Sequence, residues 1–142
     1  MRILGIDFGD NRTGIAVSDP MGWTAQGLEA VSGGMDAAAA HIIKLARQYE
    51  AGKIVVGYPI NMDGTKGFRA ERTDIFIEAL RAGVGDGGAE IIKWDERLTS
   101  AEAARVLRSS GARPTSRAVR EKGSLDILSA AILLQSYLDS GG

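Results

Sequence analysis

With 142 residues, 44% hydrophobic and 25% charged, the chain has room for one domain with its own core and too much apolar content for disorder. It contains no cysteine, which excludes disulfides and thiolate metal sites and suits a reducing cytoplasm, and its single histidine, His41, sits in a predicted helix, which argues against a His-based zinc site or a Ser-His-Asp triad. Net charge is only −1, yet residues 105–122 hold six basic side chains against one acid, a local +5 that leaves −6 on the rest. Such a stretch is either a solvated loop or the local contact for an anionic partner.

In chain order, "RILGIDF" reads as a first strand, "TGIAVSD" as its antiparallel neighbour across a Gly/Asp/Asn turn, and "TAQGLEAV" as a third strand. Met35 to Tyr49 carries an apolar stripe at helical spacing, and "KIVVGYP" is a buried-type strand stopped by Pro59. After the loop "NMDGTKG", a helix is expected from Arg69 to Ala82, with Ile75, Phe76, Ala79 and Leu80 on its inner side. "AEIIKWDE" makes the fifth strand, and Thr99 with Glu102 forms a capping box for a helix through Arg108. A basic loop follows, then a last helix from Ser124 to Leu138, apolar on most of its surface. This order predicts an α/β fold: a mixed five-stranded sheet, an antiparallel meander and then parallel crossovers, flanked by helices. The expected organisation is a single domain over residues 1–138 with a frayed tail at 139–142. No signal peptide is read at the N-terminus, and no apolar run approaches the ~20 residues that span a bilayer, so no membrane contact is expected.

Acidic residues stand where elements end. Asp7 closes the first strand, Asp95 and Glu96 close the fifth, and Asp126 lies in the first turn of the last helix. Each has a structural role open to it: bonding its own turn, pairing with Arg97, or complementing a helix dipole. Together, three carboxylates at adjacent strand tips would repel and raise each other's pKa values. A hard divalent ion with oxygen ligands removes that repulsion. Alternation places Asp7 with Ile3 and Gly5, Asp95 with Lys93, and Glu96 with Trp94 and Ile92, so one of Asp95 and Glu96 faces the site and the other does not. "DFGDNRTG" has the wrong glycine spacing for a dinucleotide loop, and "GYPINMDG" lacks the ending of a P-loop.

Four stretches, "GIDFGDNRTGIAVSD", "VVGYPINMDGTKG", "DERLTSAEA" and "LDILSAAILLQSYL", together resemble the YqgF (or RuvX) family, in order and over nearly the whole chain. The resemblance implies an RNase H-like fold related to the RuvC resolvases and a nuclease acting in 5′-end maturation of pre-16S rRNA. It places the family's acids on Asp7, on Asp95 and Glu96, and on Asp126, and its arginines on Arg12 and Arg97. RuvC-type enzymes carry an acid at the end of the fourth strand where this chain reads "VVGYPINMDG", so the Asp95/Glu96 motif must substitute unless Asp63 swings in. The expected chemistry is phosphodiester hydrolysis with two Mg²⁺ or Mn²⁺ ions held by Asp7, Glu96 or Asp95, and Asp126. Gly9 would admit the substrate backbone, while Arg12, Lys66, Arg97, Arg113, Arg117, Arg120 and Lys122 would contact phosphates. RNA is the favoured partner, acted on by a monomer or homodimer. Resolution of branched DNA, which needs a dimer, and a non-catalytic nucleic-acid-binding module are the alternatives.

Overall fold

Ile3, Leu4 and Ile6 cannot remain in water, and alternation along an extended chain sends them to opposite faces, so their strand must be covered on both sides. The computed structural model, which describes residues 1–61, 63–96 and 124–141, shows how. Strands β1 (Arg2–Asp7), β2 (Arg12–Ser18) and β3 (Ala25–Ser32) form the antiparallel meander. Helix α1 (Met35–Gln48) leads to β4 (Ala51–Tyr58), and α2 (Phe68–Val84) leads to β5 (Glu90–Asp95). The last described helix is α3 (Ser124–Asp139). The sheet order is β3-β2-β1-β4-β5, with β1–β4 and β4–β5 parallel, as the element order predicts.

One face of the sheet packs Leu4, Ile6, Ile15, Val17, Ile54 and Val56 against α1 and α2. Fully buried aliphatic side chains of this kind each contribute roughly 1.5–3 kcal/mol. Phe8, just past β1, stacks on Phe76 of α2 with ring centroids 4.3 Å apart, which ties the end of β1 to that helix. The other face is shallower. Ile3, Ala16, Ala25 and Val55 meet Ala130, Ala131, Leu134 and Tyr137 of α3. A Cβ on Gly5 would lie 2.6 Å from Leu134 Cβ, so α3 rides close over the middle of β1 because no side chain stands there.

The helical expectations shift in detail. Helix α2 runs past Ala82 to Val84 and stops at Gly85, and within it Gly83 leaves the space that Ile43 of α1 occupies. On the same helix Ile75 is 61% exposed, whereas Ile77 is fully buried, so the inner stripe is rotated from the one expected. Leu125, at the start of α3, is also exposed. The Thr99–Glu102 capping box and its helix lie outside the described residues. Among the described residues, no helix is long and apolar enough to cross a membrane.

Candidate active site

The carboxyl ends of parallel strands are where open α/β sheets place their ligands. Here β1, β4 and β5 end together, and two glycines open the space between them. Gly14 of β2 sits opposite Asp7. A Cβ on it would lie 2.0 Å from the Asp126 carbonyl oxygen, so the first turn of α3 can press onto β2 only at a glycine. On β4, a Cβ at Gly57 would come 3.1 Å from Glu96 Oε1 and 3.2 Å from Leu133 Cδ2. The missing side chain therefore leaves room for the Glu96 carboxylate, which follows the end of β5. The resulting cleft, of about 410 Å³, is lined by Asp7, Arg69, Glu96, Ser129, Ile132 and Leu133.

Its electrostatics follow from crowding of like charge. Burial, reinforced by the charges of Glu96 and then Asp126, pushes the Asp7 carboxyl up to about 6, with Arg69 pulling the other way. Asp126 has its own cation: Arg12 Nε stands 3.3 Å from Asp126 Oδ2. Beside the cleft, Arg72 Nε donates to Asp10 Oδ1 at 2.7 Å.

Asp7 and Glu96 thus present hard oxygen donors at a point short of positive charge, the chemistry that Mg²⁺ or Mn²⁺ matches. Among the described residues no group of three acidic side chains is close enough to enclose one ion. The fit is that of a two-carboxylate site whose remaining positions go to water and phosphate oxygens, the usual habit of Mg²⁺.

The acids expected from sequence separate cleanly. Glu96 lines the cleft with Asp7. Asp95 does not, because alternation along β5 sends it with Lys93 toward the α2 face, where Lys93 Nζ pairs with Asp74 at 2.8 Å. Asp63 stays in its own turn, accepting bonds from the Thr65 amide at 3.0 Å and hydroxyl at 2.6 Å. Gly9 is required by the turn itself: a Cβ there would lie 2.4 Å from the Arg12 carbonyl oxygen. Lys66 stands over the Tyr58 ring, 5.5 Å from its centroid, beside the Tyr58–Asp74 hydrogen bond. Arg97, Arg113, Arg117, Arg120 and Lys122 lie outside the described residues.

Two polar cleft residues, Ser129 and Arg69, were not among the expected site residues, nor were the apolar Ile132 and Leu133. Ser129 stands one turn after Asp126, on the same side of a helix, a spacing that could have flagged it. Arg69 occupies the first turn of α2, where a cation works against the helix dipole, and that misplacement was its only signal.

The model of the family described as RuvX: Holliday junction resolvase matches residues 1–140. The chain belongs to the RuvX family. A relative from Ruminiclostridium cellulolyticum, named "Putative pre-16S rRNA nuclease", is 49% identical over 98% of this chain and 94% of its own length. One of the same name from Listeria monocytogenes is 42% identical, covering 99% of both chains. Among solved structures, Thermus thermophilus RuvC in complex with a Holliday junction substrate superposes with a TM-score of 0.66 at 16% identity, over 99% of this chain and 96% of that one. The fowlpox virus Holliday junction resolvase gives 0.61, also at 16% identity, over 99% of each chain. At that identity these likenesses speak for the fold, which is RNase H-like as the sequence motifs implied.

Proposed function

We propose that this RuvX-family nuclease hydrolyses phosphodiester bonds of RNA in the cytoplasm, in the 5′-end maturation of pre-16S rRNA, with Mg²⁺ or Mn²⁺ as cofactor. The observation that carries the reading is the meeting of Asp7 and Glu96 in one open cleft, where like charge and burial leave Asp7 demanding a proton or a cation. The names of its relatives supply the RNA. Asp7 and Glu96 would hold the ion, which when bound supplies charge stabilisation and an acidified water. Asp126, held by Arg12, is the carboxylate available to a second ion. Arg12 holds Asp126 near Asp7, and Ile132 and Leu133 form the cleft's apolar wall.

The test is metal-dependent cleavage of labelled RNA, single-stranded DNA and a four-way junction by the wild type, Asp7→Asn, Glu96→Gln and Asp95→Asn. Both cleft variants should lose ~100-fold or more in rate, the scale at which loss of a charge-stabilising group is felt. Asp95→Asn should retain cutting. Equal activity in wild type and Asp7→Asn would sink the reading. The family's description favours a second one, resolution of branched DNA. Paired, symmetric cuts in the junction by a sedimenting dimer would select it over RNA processing.

A further inference from the structure

Three arginines approach the cleft from the described residues, and two are already engaged. Arg12 is paired with Asp126 at 3.3 Å and Arg72 with Asp10 at 2.7 Å. Arg69 differs. Among the described residues its guanidinium makes no hydrogen bond and no ion pair, although it lines the cleft beside Asp7 and Glu96. The same side chain also lines a smaller hollow that opens between the Phe8–Asp10 turn and Thr73 on α2. It therefore stands at the join between the cleft and an adjoining recess floored by a tight glycine turn.

The position has a cost. A cation in the first turn of a helix opposes the dipole. The helix start at Gly67 also receives no side-chain cap, so its first-turn amides add further positive potential at the same spot. Among the described residues this exposed arginine has no hydrogen-bond or ion-pair partner, acting only at a distance on the Asp7 carboxyl, and its place at a helix's positive end does not favour it. A phosphate in the cleft suits this placement, because the guanidinium fork donates to phosphate oxygens and the helix's positive end favours an anion.

We propose that Arg69 is a substrate-binding residue that grips the phosphate flanking the one cut, leading the nucleic-acid backbone from the cleft across the Gly9 turn. This rests on the nuclease reading and names the first contact that positions the strand. Lysine at this site would keep the charge and lose the bidentate fork.

The experiment measures binding of a labelled single-stranded RNA oligonucleotide as a function of salt, in an Asp7→Asn background so that nothing is cut. Arg69→Ala and Arg69→Lys are compared on that background, and steady-state cleavage is measured with each change in the otherwise wild-type protein. Arg69→Ala should weaken binding about tenfold near physiological salt and reduce the slope of log affinity against log salt by ~0.7, the value of one phosphate contact on a single strand. Arg69→Lys should restore the slope while recovering only part of the affinity. In cleavage, KM should rise about as much as the dissociation constant. An unchanged slope in Arg69→Ala, with RNA still bound and cut by the parent, overturns the role of Arg69 and leaves the nuclease intact. A loss confined to kcat with binding unaltered also overturns it, placing Arg69 at the reacting phosphate instead. A wild-type protein that neither binds nor cuts RNA overturns both readings together. The side chain is exposed, so neither substitution threatens folding.

Discussion

Asp7 bears a charge that the folded chain disfavours, and the consequence can be read without any substrate. Burial first, and then the charges of Glu96 and Asp126, push its carboxyl from the ordinary value of 3.8 up to about 6 in the native protein. The native state therefore binds more protons than the unfolded chain across that interval. The contribution to stability is fully present below the lower value and is lost as pH rises through about 6. At pH 8 the ionised group should cost on the order of 2 kcal/mol relative to a neutral one of the same shape. Asp7→Asn should accordingly be more stable than wild type at pH 8 in chelator, by ~1–2 kcal/mol, and the gap should close below about pH 4. Urea unfolding midpoints at three pH values would show it. A variant less stable than wild type at pH 8 would mean that the carboxylate has a partner strong enough to reverse the crowding. Added Mg²⁺ should raise the wild-type midpoint and leave that of Asp7→Asn nearly unmoved, since a ligand stabilises only the state that binds it.

Among the elements, α3 is positioned by what the sheet lacks. Gly14→Ala would put a methyl group 2.0 Å from the Asp126 carbonyl oxygen, a backbone atom that can yield only if the helix start moves. We expect a loss of roughly 1–3 kcal/mol, the usual range for overpacking, and a larger proportional loss of cleavage because Asp126 and Ser129 move away from Asp7. Chemical denaturation and turnover measured on the same preparation would separate the two; full activity would show that the helix start adapts. The sheet order was legible because period-two alternation and short connections leave few topologies, whereas parity along β5 separated Asp95 from Glu96 without choosing between them; the choice needed the packing of Trp94 with Ile3 on the α3 face. The inner face of α2 was less so. Ile75 and Ile77 are both apolar, and only packing in the core shared with α1 and the sheet decides which turns inward. Arg69 was invisible because its meaning depends on where α2 begins relative to the end of β1, a tertiary fact fixed by the Phe8–Phe76 stack.

At the scale of the whole molecule, a chain of net charge −1 must bind a polyanion through local fields. The carboxylate-lined cleft cannot attract phosphate unaided, and −6 of the formal charge lies outside residues 105–122. We therefore propose that attraction falls to that basic stretch and to the cations around the cleft, in which case each phosphate neutralised should release counterions and steepen the salt dependence. Replacing Arg113, Arg117 and Arg120 together by glutamine should lower the slope of log affinity against log salt by about 2 for single-stranded RNA, three contacts at ~0.7 each. The same variant should leave Mg²⁺ binding at Asp7 and Glu96 unaltered, read by calorimetry without nucleic acid. Sequence preference should change little, because contacts to phosphate position a strand without reading its bases. If instead the slope holds while Mg²⁺ affinity falls, the stretch supports the cleft rather than the substrate, and the nucleic acid must follow the Arg69 side of the molecule.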